Sequence, residues 1–225
     1  MKKFILIILA PIVLLPSISF SQKENLKYLL NAQSLNGYTG NIITPSPSIA
    51  NTNKFSFGLH KFNIGITYGI NPSLEGGIYL NLNEFSSSIN GTYDQIRSTS
   101  VALHAKYNII KQFADDQPLD LSAGLYRKTL YFVAGKQFEG FFYINIQSGV
   151  DLYFSEERKL GYFIVFSKPT KYSNFIFDYK SYTGQSNIGW RVLLSPDVKL
   201  DLFLINVHQL KNAFENFMFG LTLTS

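Results

Sequence analysis

Residues Gly37–Ile70 read GYTGNIITPSPSIANTNKFSFGLHKFNIGITYGI. The second half of this stretch decides the fold. Phe62, Ile64, Ile66, Tyr68 and Ile70 alternate strictly with Asn63, Gly65, Thr67 and Gly69. A period of two over that length specifies a β-strand with one apolar face and one polar or small face. The first half is different. Gly, Thr, Pro, Ser and Asn crowd Ser34–Asn53, a composition of loops and extended chain. Pro45 and Pro47 remove two backbone donors and bias their predecessors to extended geometry, so a central strand is not expected there.

The alternation continues to the C-terminus. Lys54–His60 places Phe55, Phe57 and Leu59 on one face. After Phe62–Ile70 and an Asn71-Pro72-Ser73 turn, Leu74–Leu82 sets Ile78, Leu80 and Leu82 against Glu75, Gly77, Tyr79 and Asn81. A polar loop, Asn83–Arg97, leads to Ser98–Ile110, and a turn at Asp115-Asp116 leads to Leu119–Arg127. Phe141–Phe154, Asn174–Tyr182, Asn187–Ser195, Val198–Asn206 and Phe214–Thr224 repeat the pattern. Leu130–Phe138 and Leu160–Lys168 are apolar on both faces, and their register is ambiguous. Short turns between these runs predict antiparallel neighbours. The expectation is an all-β, antiparallel up-and-down barrel of about twelve strands.

Upstream, Met1-Lys2-Lys3, an apolar run from Phe4 to Leu15, and small residues at Ser19 and Ser21 have the layout of a secretory signal. Cleavage is expected between Ser21 and Gln22. Pro11 and Pro16 interrupt the run, which is too short for a spanning helix. The expected organisation is a signal peptide (1–21), an N-terminal lead-in or plug segment (22–53) and a barrel domain (54–225). Within the lead-in, Leu26, Leu29 and Leu30 have helical spacing. That short amphipathic stretch reads as a plug, a periplasmic contact or a loosely ordered leader.

Cysteine is absent, which excludes a disulfide framework and a thiolate metal site. The net charge of +5 is scattered rather than clustered, so nucleic acid is not an expected partner. Aromatic residues make up 16% of the chain, as suits the interfacial girdles of a membrane barrel and equally a β-sandwich.

Alternation alone does not say which face looks outward. Two features favour apolar faces toward lipid. The strand count exceeds that of a soluble eight-stranded ligand barrel. The polar face also carries both signs, Asp178, Lys180, Arg191, Lys199 and Asp201, on three consecutive strands at cross-strand spacing. This charge ladder fits a polar lumen, the alternative being a solvated outer face. The C-terminus, Leu223-Thr224-Ser225, lacks the terminal aromatic usual in outer-membrane barrels, although Phe217 and Phe219 alternate just before it.

Catalytic residues are not expected. His60, His104 and His208 lie in no Ser or Cys motif, no cluster has metal-ligand spacing, and there is no phosphate or dinucleotide loop. Neither a cofactor nor a metal is expected.

The motif residues Gly37, Thr39, Gly40 and Pro45, within Gly37-Tyr38-Thr39-Gly40 and Thr44-Pro45-Ser46, are followed by Phe55-Ser56-Phe57-Gly58. Together with Leu74-Glu75-Gly76-Gly77, Asn187-Ile188-Gly189-Trp190-Arg191 and Leu194-Ser195-Pro196-Asp197, they resemble the YjbH family of bacterial outer-membrane proteins. Asn41 and Pro47 stand where that family usually has Leu and Ala. The resemblance implies a non-enzymatic outer-membrane barrel, here in a short single-barrel form, with a role in exopolysaccharide production or export. It also implies contacts with outer-membrane lipid, the barrel-assembly machinery, and polysaccharide or export-pathway proteins. A narrow passive porin and, further off, a soluble periplasmic ligand-binding barrel or a lipid-modifying enzyme are the alternatives.

Overall fold

The computed structural model describes residues 28–82, 101–112, 117–138, 143–154, 159–212 and 216–225. The signal peptide, the start of the amphipathic stretch, the Asn83–Arg97 loop and the Asp115-Asp116 turn lie outside the described residues. Twelve strands form a closed antiparallel barrel, each paired with its sequence neighbours: β1 Phe55–His60, β2 Asn63–Asn71, β3 Leu74–Asn81, β4 Val101–Ile110, β5 Asp120–Tyr126, β6 Thr129–Phe138, β7 Ile144–Tyr153, β8 Lys159–Pro169, β9 Ser173–Lys180, β10 Gln185–Ser195, β11 Val198–Leu204 and β12 Phe217–Thr224. β1 and β12 close the ring, with Ser56 opposite Thr224 and His60 opposite Gly220. Closure satisfies both edges, so no strand offers an open ladder.

All twelve expected runs are strands, with ends shifted by a few residues. Phe62 belongs to a two-residue turn with Lys61, whose φ is 51°. β11 stops at Leu204, and Asn206, two residues on, has a φ of 58°. β9 stops at Lys180, short of Tyr182. Left-handed backbone ends the pleated run at the first two of these points.

The apolar faces point outward. Leu103, Leu160, Tyr162, Phe219 and Leu194 are all more than half exposed. The inner faces carry Glu75, His104, Lys106, Asp178, Arg191 and Asp201, all buried. A soluble barrel has the reverse arrangement.

A twelve-strand ring is wider than side chains alone can fill. Residues 28–53 occupy the space. Leu29, Ala32, Gln33, Tyr38, Thr39, Ile42, Thr44 and Ala50 are buried inside the ring. The apolar core is therefore shared between plug and wall. Leu35 and Ile42 from the plug pack on Tyr131, Val133, Phe163, Val165, Ile176 and Phe203 from β6, β8, β9 and β11. This explains the two ambiguous runs. β6 and β8 are apolar outside for their surroundings and apolar inside for the plug, so no alternation marks their register.

The plug begins and ends at the same rim. Asn31 donates to Asn51, and Thr52 pairs in parallel with Gly69, at the end of the barrel where β1 starts and β12 stops. Between these points the chain rises into the ring and doubles back, with isolated bridges Gln33–Thr39 and Gly40–Pro45. Asn36 and Tyr38 reach Ile43 O near the fold-back.

Candidate functional site: a plugged lumen

Four charged wall residues grip the plug, mostly through its backbone. Asp178 on β9 accepts three consecutive amide hydrogens through Oδ2, from Ile42, Ile43 and Thr44, at 3.1, 2.8 and 3.3 Å. The Thr44 hydroxyl adds a fourth donor, and Asn187 Nδ2 donates to Oδ1 at 2.6 Å. Successive amides pointing at one carboxylate form a backbone nest for an anion.

Glu75 on β3 plays the same part elsewhere. It accepts from Thr39 N, Thr39 Oγ1 and Ala50 N, the last at 2.6 Å. Lys106 on β4 lies 3.1 Å from its Oε1 and donates to Thr39 O and Ser46 O. Both charges are buried, and such a pair persists only with its remaining valences satisfied. The plug backbone does that.

Arg191 on β10 completes the set. Its Nε donates to Asp201 Oδ1 at 2.6 Å, and its terminal nitrogens donate to Gly40 O, Gln33 O and Asn41 O. The planar fork of guanidinium suits several carbonyls at once. Asp201 on β11 is shared with His60 on β1, whose Nε2 is 2.7 Å from Oδ2, and with the Thr222 hydroxyl. Asn108 and Ser122 both donate to Pro47 O.

The five charges expected as a ladder all face inward, but they are not one ladder. Only Arg191 and Asp201 are a direct cross-strand pair, opposite one another in register. Asp178 is spent on the plug. Lys180 reaches over β8 to Asp151 on β7, at 2.9 Å. Lys199 donates to Thr224 Oγ1. Cross-strand spacing was legible in the sequence. The plug partners of Asp178 and the partner of Lys180 were not, because they belong to a remote segment and to a strand two away.

The motif residues shape the plug. Gly37 has a φ of 87°, a region that side chains with a Cβ avoid, and an added Cβ would lie 3.1 Å from Tyr79 Cβ. Gly40 lies so close to its own fold-back that a Cβ would sit 2.5 Å from Thr44 O. Thr39 binds Glu75 twice, and Pro45 forms the bridge to Gly40. Sequence reasoning missed Glu75 and Lys106. Their signal was present, as charges on the polar faces of neighbouring strands.

The histidines are structural in their contacts. His60 binds Asp201, His104 Nε2 faces Thr67 Oγ1 at 3.2 Å, and His208 is exposed in the 3₁₀ turn Val207–Asn212. Among the described residues, no group of His, Asp or Glu side chains converges as metal ligands. No protein-family model matches the chain, and no curated protein does.

Proposed function

We propose that this chain is a non-enzymatic outer-membrane barrel, closed by its own N-terminal segment, that serves envelope exopolysaccharide production or export. One observation carries the membrane part of this reading. The exposed faces of the strands are apolar while the charges are turned inward, an arrangement stable in lipid and costly in water. It speaks against a soluble periplasmic barrel. The polysaccharide part rests on the motif resemblance. In its support, Gly37, Thr39, Gly40 and Pro45 all lie where the plug turns or is gripped.

Fractionation followed by heated and unheated gels tests the first part. A carbonate-resistant outer-membrane band that migrates differently when boiled is the expected result, and a soluble band that does not shift would overturn it. Loss of surface polysaccharide on deletion of the gene tests the second part. Unchanged polysaccharide removes the export role. The mixed-charge lumen favours a passive porin as second reading. However, Asp178, Glu75, Lys106 and Arg191 are committed to the plug, so the closed form is expected to be silent in planar bilayers.

A further inference from the structure

Most aromatic rings of the wall face outward, where lipid accounts for them. Tyr153 and Tyr182 do not. Tyr153 lies on the inner face of β7, two residues after the buried Asp151. Tyr182 lies in the β9–β10 turn and leans over the inner face of β8. An added Cβ on Gly161 would point into the ring and lie 3.1 Å from Tyr182 Cβ and 3.3 Å from Tyr153 Cε2. Glycine at 161 thus lets two tyrosines from either side of β8 meet. Their rings stack at 3.9 Å between centroids and 21° between planes.

The pair is fixed from beneath. Asp151 Oδ2 accepts from the Tyr153 hydroxyl at 3.0 Å and lies 2.9 Å from Lys180 Nζ, and that ammonium sits 5.8 Å from the Tyr153 ring centre. Tyr182 nevertheless remains 43% exposed. The platform stands at the rim opposite the C-terminus, the rim from which the longest connection, between β3 and β4, departs, and long connections mark the outward side of such barrels.

We propose that this platform binds a glycan through the face of a pyranose ring. A rigid tyrosine face is a large amphipathic contact that loses little freedom on binding. The Lys180 ammonium, with its side chain 14% exposed, and the two phenols supply donors and acceptors at its edge, while the buried Asp151 only holds them in place. A pyranose ring offers the complement, a C–H face bordered by hydroxyls. Asp151 and Lys180 neutralise one another, and Lys159, opposite Tyr153 in register, adds a cation at the edge, so a ligand held by its ring face is accepted with or without an anionic substituent. The same sugar chemistry occurs in a secreted polysaccharide and in the core of a surface glycolipid.

The site deepens the polysaccharide reading above, on which its biological setting rests. The test is calorimetric titration of the full chain in a sugar-free detergent. The probes are maltohexaose, cellohexaose and a delipidated core oligosaccharide. Binding of a hexasaccharide points to the secreted source, and binding of the core alone points to the glycolipid. Tyr182→Ala should weaken binding about tenfold or more, while Tyr182→Phe keeps the ring and should stay within about threefold of the parent. Tyr172→Ala, an exposed ring in the β8–β9 turn at the opposite rim, should change nothing. If none of the probes binds, or if Tyr182→Ala binds as the parent does, the site is wrong. Binding without a polysaccharide phenotype would sink the export role and leave this site standing. A phenotype without binding would do the reverse.

Discussion

Asp178 holds amides of a segment up to 136 residues away in the chain, and its role follows from what would be orphaned without it. Replacing it by Ala leaves two buried amides and one part-buried amide, a threonine hydroxyl and the Asn187 amide without their acceptor. Each unsatisfied donor costs about 1–3 kcal/mol, less where water can enter. Asp178→Ala should therefore cost about 3–5 kcal/mol, read as a lower temperature for conversion of the compact gel band. Asp178→Asn keeps one acceptor oxygen and should cost less. Equal stability of Asp178→Ala and the parent would mean that the nest does not hold the plug. Two left-handed glycines among the described residues give a second contrast. Gly37→Ala incurs the backbone penalty and meets Tyr79, whereas Gly184, with a φ of 62°, has nothing within 4 Å of an added Cβ. Gly184→Ala should cost about 1 kcal/mol and Gly37→Ala about 2 or more, measured by the same band conversion.

At the scale of elements, β2 and β8 show what a single sequence can and cannot reveal. β2 alternates because its inner face meets backbone and small polar groups, so Gly65, Thr67 and Gly69 face in. The period alone was enough to place it. β8 has no such contrast, since Phe163 and Val165 face the plug while Tyr162 and Phe166 face out. Nothing local distinguishes a phenylalanine that packs on Ile42 from one on the exposed outer face. The charges behaved similarly. Their inward direction was readable, but Asp178 and Lys180 found partners that strand spacing does not encode. Truncation separates the two faces of β8. Phe163→Ala opens a cavity against the plug and should cost about 3–5 kcal/mol. Phe166 is 42% exposed, and Phe166→Ala should cost at least about 2 kcal/mol less. Equal losses, or a larger loss for Phe166→Ala, would reverse the assignment of faces.

For the whole molecule, the plug converts a problem of width into a packed interior. A twelve-strand ring without it would expose Glu75, Lys106, Asp178, Arg191 and Asp201 to a water-filled lumen. With it, Glu75, Lys106, Asp178 and Arg191 are satisfied largely by its backbone, Asp201 is held by Arg191 and His60, and the apolar patch of β6, β8, β9 and β11 is covered. Conductance follows directly. The full chain should give no steady ion current in a planar bilayer, because the path along the axis is filled by buried residues from Leu29 to Ala50. A chain lacking residues 22–49 should conduct, provided that its unboiled band still runs as a compact species. Both signs line the wall, so that current should discriminate weakly between potassium and chloride. A steady current through the full chain would show that the plug leaves an open path and would restore the porin reading. Silence of a folded, shortened barrel would mean that the wall alone closes the lumen. In that case the charges gripping the plug would serve stability rather than closure.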